Sequence, residues 1–201
     1  MSFYPIGRRL PAGLQAAKWQ LQPLTPGHVA IDYEAVMASR EMLNLWSGSS
    51  WPTVNFTLDD NLDDLQWHHR EHQERIAFTF TLLDPPGRRC LGCLYIRSIS
   101  ELLADNPHPP ASVARDAAIA RFWVRSSLLA GEFDRQLLEA LLPWFAEDWD
   151  FAQLYFHTRE ANEQQVALFE SSPMPYQFTW QLPRRGGLHR FWQVTGVSSC
   201  T

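Results

Sequence analysis

The chain is almost without lysine. Lys18 is the only one, and every other basic side chain among the 17 is an arginine. The formal net charge is −5, so there is no general electrostatic footprint for nucleic acid or for an anionic membrane surface. No run of about eighteen apolar residues occurs, so the sequence offers no membrane-crossing helix. The opening stretch MSFYPIGRRLPAGLQ has no apolar core of a secretory leader. Cysteine is scarce. Cys90, Cys93 and Cys200 make an odd count, which together with the missing leader points to a reducing compartment and a soluble, cytoplasmic protein. Internal repeats, low-complexity tracts and long charge blocks are also missing, which excludes solenoids and charged tails.

What is present is a well-stocked core. Of 201 residues, 45% are hydrophobic and nine are tryptophan, enough to bury one domain without staples. Residues 1–16 carry Pro5, Gly7, Pro11 and Gly13 and read as an irregular lead-in; residues 17–197 read as a single domain. Residues 17–24 alternate as a strand, and Thr25-Pro26 starts a helix. Residues 43–56 (LNLWSGSSWPTVNF) read as a loop. Thr57 opens a capping box for a helix to about Arg75. Residues 76–83 and 90–97 form a hairpin, and 98–116 an insertion or lid-like loop. At the far end, 176–182 and 188–194 alternate as a second hairpin around PRRGG.

The stretch from Asp116 to Met174 organises the rest. Residues 117–125 are β-branched and aromatic, hence a strand. Phe133, Leu137, Leu138, Leu141 and Leu142 share one helical stripe over 132–142, and Pro143 should kink or end that helix. Residues 151–157 are a second buried strand and 160–171 a second helix with Val166, Leu168 and Phe169. A strand–helix–strand unit of this length implies a right-handed crossover between parallel strands.

This ordered set resembles the GNAT superfamily of acyl-CoA-dependent N-acetyltransferases, in particular its ribosomal-protein-acetylating branch. Ile119-Ala120-Arg121-Phe122-Trp123-Val124 matches the family's strand, Leu137-Leu138 its leucine pair, and Asn162, Leu168 and Glu170 its N-x-x-S-x-x-L-Y-E motif, with Phe169 in the Tyr slot. The resemblance implies an α/β fold with a mixed, splayed sheet of about six or seven strands and roughly four helices. It implies acetyl-CoA as co-substrate and direct attack by a primary amine of a small molecule or protein N-terminus. A homodimer is compatible with it.

The resemblance places the pantetheine along Phe122, Trp123, Val124, Arg125 and Ser126. The pyrophosphate would sit on the loop and helix start at Ala130 and Gly131, with Arg135 nearby and Asn162, Gln165 and Phe169 opposite. Trp46, Trp51 and Arg121 would line the acceptor site. The family's glycine-rich loop is not kept: the chain reads Leu129-Ala130-Gly131-Glu132-Phe133-Asp134. A carboxylate about 4 Å from a phosphate charge costs roughly 4 kcal/mol at an effective dielectric near 20. Phe169 has no hydroxyl to protonate a leaving thiolate, so His157 and Tyr155 are the candidate acid and base. The alternative reading is a binding or sensing module that keeps the fold without turnover.

Two further strings carry metal-like or redox-like spacing. His68-His69-Arg70-Glu71-His72 fits H-x-x-E-H, but nothing specifies a distant third zinc ligand, so no metal is expected. Cys90 and Cys93 lie three apart on a strand, which should point them to opposite faces as small core residues.

Overall fold

The computed structural model describes residues 3–196; Cys200 and the expected domain end at residue 197 lie outside the described residues. The strands are β1 (Leu14–Gln15), β2 (Gln20–Pro23), β3 (Phe78–Leu83), β4 (Cys90–Ser98), β5 (Ala118–Val124), β6 (Leu154–Arg159), β7 (Tyr176–Leu182) and β8 (Gly187–Gln193). They form one sheet in the order β1-β2-β3-β4-β5-β6-β8-β7. Only β5 and β6 run parallel; every other neighbouring pair is antiparallel. The helices are α1 (Val29–Ala38), α2 (Arg40–Ser47), α3 (Leu58–Gln73), α4 (Ser100–Leu103), α5 (Ser126–Leu129), α6 (Phe133–Asp148) and α7 (Glu163–Glu170).

The sheet is covered on both faces, which is why β3 is buried at every position rather than at alternate ones. On one face α6 contributes Leu137, Leu138, Leu141, Trp144 and Phe145, and α7 adds Val166, Leu168 and Phe169, against Phe80, Ala120, Phe122 and Phe156. Each such side chain stabilises the fold by about 1.5–3 kcal/mol through burial. On the other face Val36, Leu43, Trp46 and Leu65, from α1 to α3, pack on Leu83, Cys93 and Trp123. The α4 insertion, through Leu102, covers Ile119, Tyr155 and Phe191.

Several expectations need correction. The sheet has eight strands and there are seven helices among the described residues, because one-turn helices (α4, α5) and the two-residue β1 lack a periodic signal. The lead-in is tied down: Leu14 pairs with Leu21, and Tyr4 is 2% exposed within the core. Trp46 stands on helix α2, not in a loop. Pro143 does not end α6, which runs on to Asp148; it faces solvent, where water can hydrogen-bond the Glu139 carbonyl it strands.

Cys90 and Cys93 face the same side. Leu91 is an extra residue in β4, since Leu82 pairs with Gly92 and Leu83 with Cys90. This bulge cancels the alternation. It needs glycine at position 92, where a Cβ would lie 2.1 Å from the Trp123 carbonyl oxygen. Both thiols then donate to Asp32 Oδ1, at 3.7 and 3.5 Å. The three donor atoms lie within 4.8 Å of one another and all three residues are buried. Burial raises the Asp32 pKa, and the hydrogen bond with Cys90 together with burial pushes the Cys93 thiol well up, so Cys93 stays protonated as the donor to Asp32.

Candidate active site

β5 and β6 pair only at Ala118–Leu154, Ile119–Tyr155 and Ala120–Phe156. Beyond Ala120 both strands continue, β5 to Val124 and β6 to Arg159, without pairing to each other. Alternation turns the backbone polar groups of Phe122 and Val124 toward the gap and those of Trp123 toward β4. The gap is not empty. The Phe122 carbonyl accepts from Trp46 Nε1 at 2.8 Å and from Gln165 Nε2 at 2.9 Å. A space of only about 30 Å³ remains, bordered by Phe122, Trp123, Val124, Asn162, Gln165 and Asp134.

At the mouth of the gap, where α6 starts, the backbone donors are largely used. Gly131 N–H donates to the Leu128 carbonyl, Glu132 N–H to Leu129, and Arg135 N–H to Asp134 Oδ1. Asp134 is 8% exposed, and burial raises its pKa. Arg125 points elsewhere: it clasps Glu34, with Nη1 to Oε1 at 2.8 Å, and donates to the Cys90 carbonyl. Arg135 reaches Ser171 Oγ on the far side of α7. Ser126 Oγ lies at the Ala38 carbonyl, and Ala130 is exposed beyond α5. Phe169 is fully buried against Phe122, Phe156 and Trp192 and does not border the gap. Asn162 caps α7, accepting from Gln165 N–H.

A second cavity, about 520 Å³, lies on the α1–α3 face beside the gap, with Trp46 as the wall common to both. It brings together Trp46, Trp51, Arg121 and His157 of the residues singled out from sequence. It does not include Tyr155, which is buried against Phe178, its pKa raised by burial. Asp64, His68, Tyr95, Arg97, Glu101 and Arg185 also line it and were not foreseen. Strand parity could have found part of this: the register Ile119–Tyr155, continued along both strands, brings Arg121 level with His157 on one face.

His157 is fully buried, stacked on Phe191 with ring centroids 4.8 Å apart. Burial first, then the Arg121 cation, hold its pKa well below the ordinary value. His189 is pushed down to about 4 by the same causes. Both rings are therefore neutral at pH 7, and their tautomers follow from the partners. His189 Nε2 lies 3.0 Å from the Arg185 carbonyl and must carry the proton. His189 Nδ1 is then an acceptor, and His157 Nδ1, 3.2 Å away, donates to it. That leaves His157 Nε2 as a bare lone pair, buried and without a protein partner.

His68 and His72 do not form a zinc pair. His68 faces Glu71 and Arg97, while His72 sits edge-on to Phe78 and Phe80 with centroids 5.2 Å away.

No protein-family model matches the chain, and no curated protein sequence matches it. Solved structures do. The ribosomal-protein alpha-N-acetyltransferase RimL in complex with coenzyme A superposes with a TM-score of 0.69 at 16% identity, covering 94% of this chain and 98% of that one. The fold is the GNAT fold. RimJ from Mycobacterium smegmatis, solved with a CoA disulfide, gives 0.68 at 15% identity over 92% of this chain and 84% of the other. The microcin C7 self-immunity acetyltransferase MccE, solved with acetyl-CoA and AMP, gives 0.70 at 10% identity over 92% and 96%. At such identities it is the GNAT architecture that is shared. Among the described residues no helix is long and apolar enough to cross a membrane.

Proposed function

We propose that this protein is an N-acyltransferase of the cytoplasm that moves an acetyl group from acetyl-CoA to a primary amine, on a small molecule or a protein N-terminus. The observation that carries the reading is the parting of β5 from β6 beyond Ala120, on a fold shared with proteins solved holding CoA or acetyl-CoA.

The gap fits an amide-bearing tail in chemistry and needs two side chains to move for space. Phe122 offers a carbonyl at a bare strand edge, where Trp46 and Gln165 now stand in for a ligand N–H. Exchanging one neutral hydrogen bond for another is close to neutral, since each is worth about 1 kcal/mol net. Swinging Trp46 also joins the gap to the larger cavity, where the amine would wait.

In the transfer a C–N bond forms, the thioester C–S bond breaks, and one proton passes from the amine nitrogen to a base while one is returned to the departing sulfur. The bare Nε2 of His157 is the base we assign. Arg121 beside it disfavours an ammonium, so the amine is delivered neutral and a weak base suffices. Tyr155 does not line the cavity, so the acid for the returning proton is not assigned to it.

Calorimetric titration with acetyl-CoA, followed by a thiol-release assay with and without amines, tests the reading. Binding together with amine-dependent CoA release is expected. Binding without release would leave a sensing module, and no heat at millimolar acetyl-CoA would remove both.

A further inference from the structure

Three arginines, Arg97, Arg121 and Arg185, share the lining of the larger cavity with two carboxylates, Asp64 and Glu101, and burial raises the Asp64 pKa, which favours its neutral form. Arg121 donates to one neutral acceptor, the Trp46 carbonyl, and lies over the Trp46 ring with Cζ 4.0 Å from the centroid. Its Nε is sealed from solvent and has no partner. Arg159, beneath the cavity, spends its donors on the carbonyls of Gly186 and Leu45. Arg185 reaches a carboxylate only at 4.0 Å, and that group, Glu101, is already held by Arg97 at 3.1 Å. Arg97 also holds Glu71 at 2.8 Å. The arginine in contact with α3 and α4 is thus doubly paired, while the arginines from β5, β6 and the β7–β8 turn face one another.

We propose that the Arg121 end of this cavity is a subsite for an anionic group, a carboxylate or a phosphate, carried by the acceptor. The word acceptor rests on the transferase reading; the subsite does not. A buried guanidinium with an unused N–H costs folding free energy until an anion completes it, and its planar fork suits carboxylate and phosphate oxygens. An apolar amine would leave that N–H as it is. The crowding of like charge has a measurable trace: burial, then Arg185 and Arg159, bring the Arg121 pKa down to about 9. Burial remains the larger cause of the lowered His157 pKa, but an anion seated there offsets the part due to Arg121, so an anionic acceptor would raise the basicity of its own general base.

The test is calorimetry on the full chain at fixed ionic strength, with inorganic phosphate in one arm and propionate in the other, against wild type, Arg121→Gln and Arg185→Gln. The exposed Arg184→Gln serves as the charge control. Saturable binding of at least one anion is expected, with the arm that responds naming the group. Arg121→Gln should weaken it about tenfold or more, Arg185→Gln severalfold, and Arg184→Gln not at all. Arg185 is half-buried, so its variant keeps the test alive if Arg121→Gln does not fold. Absence of saturable heat at roughly tens of millimolar anion, or equal loss in Arg184→Gln, overturns the subsite. Acetyl-CoA is titrated into the same samples: anion binding without acetyl-CoA binding removes the transferase reading and leaves the subsite, and the reverse removes the subsite alone.

Discussion

The two cavities that meet at Trp46 differ in how they are sealed. The strand gap is sealed by hydrogen bonds: the Phe122 carbonyl is used twice, and about 30 Å³ is left. The larger cavity is about 520 Å³, and two of its lining residues keep a buried polar atom unpaired, Arg121 Nε and His157 Nε2. A site whose polar groups are satisfied internally must exchange partners to bind. A site that leaves buried groups unpaired has already borne the cost and gains when a ligand arrives. The first is a latch and the second a socket.

Removing the wall between them should have the largest effect. Trp46 is 7% exposed, holds Phe122, and lies under Arg121. Trp46→Ala should cost about 3–5 kcal/mol of stability by urea denaturation. Trp46→Phe, which keeps the ring and loses the N–H, should cost about 1 kcal/mol. Equal losses for the two would mean that the ring contributes little and that Trp46 is not the wall.

Next in size is the acid response of the socket. His189 titrates near pH 4 in the fold and near 6.5 unfolded. Between those values the unfolded chain binds more protons, so stability is full above about pH 6.5 and falls as the pH drops toward 4. The loss from His189 is about 3 kcal/mol, and His157, shifted the same way, adds to it. The charges around the pair are Arg121, Arg159 and Arg185, and each holds the neutral form of the rings in place. His189→Gln, which can still donate to the Arg185 carbonyl and accept from His157, should flatten the pH dependence of the urea midpoint between about pH 6.5 and 5. An unchanged slope would remove the neutral pair.

The latch was more legible from sequence than the socket. The crossover from β5 through α6 to β6 follows from the leucine stripe and two β-rich runs, and Phe122, Val124, Asn162 and Gln165 do border one gap. What fills the gap was not legible, because Trp46 arrives from a helix 76 residues away in sequence and its role is a single long-range hydrogen bond. In the socket, Arg185 and His189 come from a hairpin that was legible from its alternation and its turn, but nothing in that pattern says that it folds back over Arg121 and His157. The bulge at Leu91 left no periodic mark, so the facing of Cys90 and Cys93 came out inverted. The resemblance places Arg125 along the pantetheine from its position in the strand; its side chain instead neutralises Glu34.

A smaller effect should sharpen the latch from outside. Asp134, buried at the start of α6, holds a carboxylate beside the place a phosphate would dock. Asp134→Asn keeps the oxygen that accepts from Arg135 N–H, so the helix start should hold. With the like charge gone, acetyl-CoA should bind about tenfold tighter, or ~1.4 kcal/mol, and the gain should shrink with added salt. A salt-independent change would place the anion elsewhere.

The finest test is Gln165→Leu. Its amide donates to the Phe122 carbonyl from the first turn of α7, and Trp46 remains as the second donor, so the carbonyl is not orphaned. Stability should therefore drop by no more than about 1 kcal/mol. If the bond is part of the latch, acetyl-CoA no longer has to break it, and affinity should rise by roughly threefold to fivefold. If Gln165 instead turns in the complex to hold the cofactor, as the family resemblance implied, the same substitution weakens binding. The sign of the change, read by calorimetry beside Trp46→Phe, thus separates a side chain that guards the gap from one that serves it.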